Sequence, residues 1–152
     1  MASASKLKGA AFETKMTKLL TSELGVEFKR MPLSGAIEYL KGDIWVPSDT
    51  AGFKYTIECK HYAELEWNNF LTAKSTDILQ FWIQAKEAAE KMGKSPLLLF
   101  RWNRSKDFAG YSDFSVQCPS YVEINSFGHH FRISLLTDWI EAYKNNLKAT
   151  PK

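Results

Sequence analysis

GDIWVPSDTAGFKYTIECK, residues 42–60 of the chain, reads as two short strands around a turn. Residues 43–46 make the first strand, Pro47, Ser48, Asp49 and Gly52 are turn formers, and residues 53–60, rich in aromatic and β-branched side chains, make the second. Strand side chains alternate with a period of two, so Tyr55, Ile57 and Cys59 share one face and Thr56, Glu58 and Lys60 the other. A hairpin brings Asp43, at the start of the first strand, close to Glu58. Two converging carboxylates repel unless a cation lies between them, and oxygen ligands of this kind suit magnesium or manganese. The pattern is that of a metal site with a lysine attached.

The chain holds three Glu-x-Lys triplets, at Glu13, Glu27 and Glu58, so the tripeptide alone says little. The third differs in context: it ends an apolar strand that follows another strand opening with an acid. Gly42-Asp43 followed by Glu58-Cys59-Lys60 resembles the PD-(D/E)XK nuclease superfamily. Gly42 stands where the motif's proline is commonest, a mild departure because the proline is not a ligand. The resemblance implies an α/β fold, a single domain with a central mixed β-sheet flanked by helices in the restriction-endonuclease manner.

The chain of 152 residues is 45% hydrophobic and 14% aromatic, which fits a single globular domain over 1–152 and argues against disorder away from the ends. A net charge of +3 permits a nucleic-acid partner without demanding one. Cys59 and Cys118 lack metal-ligand spacing, and Cys59 falls on the apolar face of its strand, as a reduced, buried thiol does. A reducing, cytoplasmic setting fits best. No apolar run reaches the roughly 18 residues of a membrane span, and the polar start MASASKLK lacks the apolar core of a signal peptide.

From the amino terminus, residues 1–5 are a polar tail, and the spacing of Phe12, Met16, Leu19, Leu20 and Leu24 predicts a helix over 6–24, capped by Gly25. Residues 26–31 read as a strand with a basic end at Lys29 and Arg30, broken by Pro32, Ser34 and Gly35. This order of parts resembles the archaeal-type Holliday junction resolvases and their phage relatives, over residues 6–101. The matching residues are Glu13, Arg30, Ser34, Gly35, Asp43, Glu58 and Lys60. The resemblance implies catalytic roles for Glu13, Ser34, Asp43, Glu58 and Lys60. It also implies a magnesium ion, replaceable by manganese, on Asp43, Glu58 and the Cys59 backbone carbonyl, with Glu13 completing the shell, and DNA contacts from Lys29, Arg30 and Ser34. The implied partners are four-way or branched DNA and a second copy of the chain, since a two-fold homodimer supplies two active sites for symmetric cuts. A phage-encoded origin is compatible with it.

Residues 61–75 carry Tyr62, Trp67 and Phe70 without a clean period and suit core or interface packing. A helix follows over 76–92, with Ile78, Phe81, Trp82, Ala85 and Ala89 on its apolar face. In the family a glutamine on this helix helps shape the active site, which points to Gln84, with Gln80 in reserve. Residues 97–100 are a continuous apolar run, read as a buried central strand. Arg101, Trp102, Arg104 and Lys106 are compatible with a DNA-facing loop in which Arg104 is the contact. Short strands at 114–117, 121–124 and 130–133 extend the sheet edge, and a terminal amphipathic helix spans Leu135 to Leu147. His129 and His130 lack supporting ligands and read as structural. The resemblance implies a metal-dependent, structure-selective endodeoxyribonuclease that resolves four-way DNA junctions. Two readings stay open beside junction resolution: another PD-(D/E)XK nuclease of repair, restriction or DNA degradation, and an inactive DNA-binding relative.

Overall fold

The computed structural model describes residues 4–31, 42–47, 53–62, 77–102 and 105–149. Its elements, in chain order, are α1 (Ala4–Leu24), β1 (Lys29–Arg30), β2 (Ile44–Trp45), β3 (Tyr55–Tyr62), α2 (Asp77–Met92), β4 (Ser95–Trp102), β5 (Phe108–Tyr111), β6 (Val122–Ser126), β7 (His129–Leu135) and α3 (Leu136–Ala149). The strands form one seven-stranded sheet in the order β1-β2-β3-β4-β5-β7-β6. β3 and β4 are parallel, joined across α2, and the other pairings are antiparallel. The architecture is therefore α/β, a mixed sheet flanked by helices.

The apolar run Leu97 to Phe100 lies in the middle of the sheet, and its alternation explains why it has no polar face. Leu97 and Leu99 pack with Tyr55, Ile57 and Cys59 under α1 and α3, where Phe12, Met16, Leu20 and Trp139 are buried. Leu98 and Phe100 pack on the other side with Ile78, Trp82 and Ala85 of α2 and Phe131 of β7. A strand with helices on both faces buries every residue, which is the signature of a parallel pair. The helix periodicity of Phe12, Met16 and Leu20 is realised as one buried stripe. Gly25, at φ 73°, ends α1 by donating its N–H to the Thr21 carbonyl at 3.1 Å.

The structure corrects the carboxy-terminal strands. Residues 114–117 are not a strand: the Asp113 carboxylate accepts from Ser115 N at 3.2 Å and Ser115 Oγ at 2.6 Å, so a side chain captures the backbone into a turn. The strand sits earlier, at β5, in the sequence FAGY. Alanine and glycine are weak strand formers, so this strand is set by its antiparallel pairing with β4 and β7 rather than by local preference. The strand expected at 26–31 contracts to Lys29–Arg30, and Phe28 before it is buried, its N–H bonded to Thr21 Oγ1 at 2.9 Å. Among the described residues, no helix is long and apolar enough to cross a membrane.

Candidate active site

The site begins with a backbone turn. Gly42 has φ 100°, and a Cβ there would lie 2.9 Å from the Ile57 carbonyl oxygen. Proline, held near φ −65°, is excluded from this conformation, so the glycine at the motif's proline position is a requirement of the turn rather than a mild departure. The turn delivers Asp43 N to the Ile57 carbonyl at 2.7 Å and the Asp43 carbonyl to Met31 N at 2.8 Å, fixing the aspartate between β1 and β3.

Asp43 then reaches along β3. Its Oδ2 accepts from Cys59 N at 2.7 Å, and its carboxyl group shares a hydrogen bond with Glu58. Glu58 is only 7% exposed, and burial, the Asp43 charge and the shared hydrogen bond push it up to about 8 against the opposing pull of Lys60. Without a cation the crowding of the two carboxyl groups favours their sharing a proton. A divalent cation can replace that proton. Magnesium is commonly held by one or two carboxylates, with water and substrate phosphate completing its shell, and this donor set fits it. Among the described residues no three His, Cys, Asp or Glu side chains form a ready cage. The Cys59 thiol is unsuited to ligation, since burial first and the surrounding acids second push it well above its ordinary value.

Glu13 and Arg30 join from α1 and β1. Arg30 Nε lies 3.6 Å from Glu13 Oε1, an ion pair slightly too long for a hydrogen bond. Burial raises Glu13 above the usual carboxylate value and the Asp43 charge adds to it, while Arg30 and Lys60 pull it down. Lys60 sits with its ammonium 5.1 Å from the centre of the Phe81 ring, within cation–π range.

Glu13, Asp43, Glu58 and Lys60 thus sense one another electrostatically, and Arg30 joins them through Glu13. Lys29 is different: exposed on β1, it pairs with Glu27 at 3.4 Å. Gln84 lies on the exposed side of α2. Ser34, Gly35 and Arg104 lie outside the described residues, as do Trp67 and Phe70 of the segment after β3. Phe81 was missed as a partner of Lys60. Its helical position marks it as apolar, and no sequence signal says which strand residue it will meet.

The family model described as "Phage putative PDDEXK endonuclease" matches residues 4–141. Protein D14 of Escherichia phage T5 is 33% identical over 112 residues, covering 70% of this chain and 69% of that protein. Among solved structures, Archaeoglobus fulgidus Hjc, a Holliday junction resolvase from an archaeal hyperthermophile, matches over 86% of this chain and 91% of its own, with a TM-score of 0.44 and 14% identity.

Proposed function

The chain belongs to the phage PDDEXK endonuclease family, and from that premise we propose that it is a magnesium-dependent endodeoxyribonuclease that resolves four-way DNA junctions as a homodimer. The observation that carries the junction reading is the Glu13–Arg30 ion pair beside Asp43 and Glu58. A helix glutamate and a strand arginine ahead of the aspartate are what the resemblance to the resolvases rests on, and here both enter one electrostatic cluster.

Asp43 and Glu58, with the Cys59 backbone carbonyl, are the groups that would hold the ion, and manganese is expected to substitute. When bound, such an ion supplies a Lewis acid and lowers the pKa of water. The chain's own contribution is positional and electrostatic. Asp43 is pinned by the Cys59 amide, so its carboxylate has a fixed direction. Lys60, two residues along from Glu58 on the same face, orients the attacking water or offsets negative charge developing on the phosphate. Glu13, held by Arg30, adds a third carboxylate at the margin of the pair. Two such sites related by a two-fold axis would cut both strands of a junction symmetrically.

The test is cleavage of a labelled synthetic four-way junction beside a matched linear duplex, in magnesium or EDTA, by the native chain and by Asp43→Asn. Paired, symmetric nicks in the junction that depend on metal and on Asp43 are expected. Equal cutting of both substrates would make the chain a general nuclease, and binding without cutting would make it a junction-binding relative. A monomeric mass at micromolar concentration would remove the symmetric route.

A further inference from the structure

Lys15, Arg101 and Asp107 form a charged cluster that the chemistry above does not use. Lys15 follows Glu13 by two residues on α1, about 3 Å along the axis. Arg101, at the end of β4, is in register with His61, the residue after Lys60. Asp107 leads into β5 and lies between the two cations: Lys15 Nζ is 2.9 Å from its Oδ2, and Arg101 Nε is 3.9 Å from its Oδ1.

The second distance is too long for a hydrogen bond. Among the described residues, the buried Arg101 Nε and Asp107 Oδ1 find no hydrogen-bond partner at all. An unmatched buried polar atom is costly to fold around, so this cluster is not built like an ion pair whose purpose is stability. The guanidinium is instead held by the turn that follows β4. Its Nη2 donates to the Ser105 carbonyl at 3.3 Å, and Ser105 closes the turn by accepting from Trp102 N at 3.0 Å and donating its own N–H to the Trp102 carbonyl at 3.1 Å. Lys15 is 52% exposed and Arg101 25%, so two cations reach solvent around one carboxylate, Arg101 on the strand next to the one that carries Glu58 and Lys60.

We propose that Lys15 and Arg101 form a binding site for a backbone phosphate of the DNA strand that enters the active site, with Asp107 as the internal anion that holds the two cations ready and yields to the phosphate. The proposal rests on the nuclease reading above. Arginine offers a planar fork to phosphate oxygens and lysine a mobile point charge, so the pair can grip one phosphate from two elements, α1 and β4. Bringing it to the cluster sets the register of the strand against Asp43 and Glu58.

Binding of a labelled linear duplex and a four-way junction is to be followed in EDTA over a salt series, for the native chain, Lys15→Gln, Arg101→Gln and Asp107→Asn. Each lost duplex phosphate contact lowers the steepness of log Kobs against log salt by about 0.9, and that decrease is expected for Lys15→Gln and for Arg101→Gln. Lys15 is half-exposed, and a melting curve of Lys15→Gln shows that it is folded at the binding temperature, so its result stands even where Arg101→Gln is poorly folded. Asp107→Asn removes the competing anion and is expected to tighten binding several-fold. A cluster that serves folding alone gives the opposite pattern, a lower melting temperature for Asp107→Asn with unchanged affinity and unchanged slopes, and that result overturns the proposal. If the native chain cuts DNA and the slopes do not move, this site fails alone. If the native chain neither binds nor cuts, the nuclease reading falls and the site with it.

Discussion

Replacing Glu58 with glutamine isolates the cost of forcing two carboxyl groups together. In the folded chain Glu58 is pushed from 4.5 up to about 8 by burial, by the Asp43 charge and by their shared hydrogen bond, whereas the unfolded chain leaves it at its ordinary value. Between those two pH values the folded state holds a proton that the unfolded state has released. Stability from this group is therefore intact below pH 4.5, declines as pH rises through the window, and levels off above pH 8. Each tenfold change in proton affinity is worth about 1.4 kcal/mol, so the full swing is on the order of 5 kcal/mol, a large part of the net stability of a domain. Glutamine keeps the shape, carries no charge and can donate its amide N–H to Asp43. Urea unfolding in EDTA from pH 5 to pH 9 should show the native chain losing several kcal/mol relative to Glu58→Gln, with the variant the more stable at pH 8.5. The difference between the two profiles cancels titrating groups remote from the site and reads Glu58 together with the acids it is coupled to. Magnesium should restore the native chain at high pH by binding the folded state and should do little for the variant. Parallel pH profiles for the two chains would refute the argument that the pair stores a proton.

Lys60→Ala should lower cleavage by at least about 100-fold, the usual cost of a lost transition-state donor, while DNA binding by fluorescence anisotropy changes little; retained cleavage would remove Lys60 from the chemistry. Gly42→Ala forces a side chain into a positive φ and against the Ile57 carbonyl, so it should cost about 1–3 kcal/mol in thermal or urea unfolding and reduce cleavage by displacing Asp43. Unchanged melting and activity would show that this turn does not set the aspartate. Leu99→Ala, a fully buried residue of the central strand, should cost about 2–5 kcal/mol without changing the metal dependence of cleavage; a shift in metal dependence would mean that the core and the site are coupled.

The elements legible in the sequence were those with strong periodicity. The stripe of Phe12, Met16 and Leu20, the apolar face of α2 and the run 97–100 each announce a helix or a doubly covered strand, and the alternation in residues 53–60 put Glu58 and Lys60 on one face correctly. What escaped were features set by a single local or tertiary contact. FAGY has little strand signal because alanine and glycine are weak strand formers and β5 is set by pairing with β4 and β7, and the 114–117 strand was lost to one carboxylate, Asp113, that captures the backbone after it. The role of Gly42 was underrated because sequence shows the residue but not its φ. Within the site, the resemblance named Glu13 and Arg30 separately, as a metal-shell acid and a DNA contact, and their pairing came only with the fold; the Phe81 ring under Lys60 and the Lys15–Asp107–Arg101 cluster likewise join residues 21, 92 and 6 positions apart, and no periodicity encodes such meetings.

The two halves of the acidic site are anchored very differently. Glu58 and Lys60 stand on β3, which pairs over eight residues with β4, whereas Asp43 and Arg30 belong to a flank whose strands β1 and β2 are two residues each. Short ladders at an edge open far more often than long ones at the centre. The Met31 and Asp43 amides should therefore exchange with solvent deuterium sooner than those of Ile57 or Leu99, and the Asp43–Glu58 spacing becomes a breathing coordinate of the free protein. Anything that bridges the two carboxylates fastens the flank to the centre, so occupancy of the site and closure of the edge are one equilibrium.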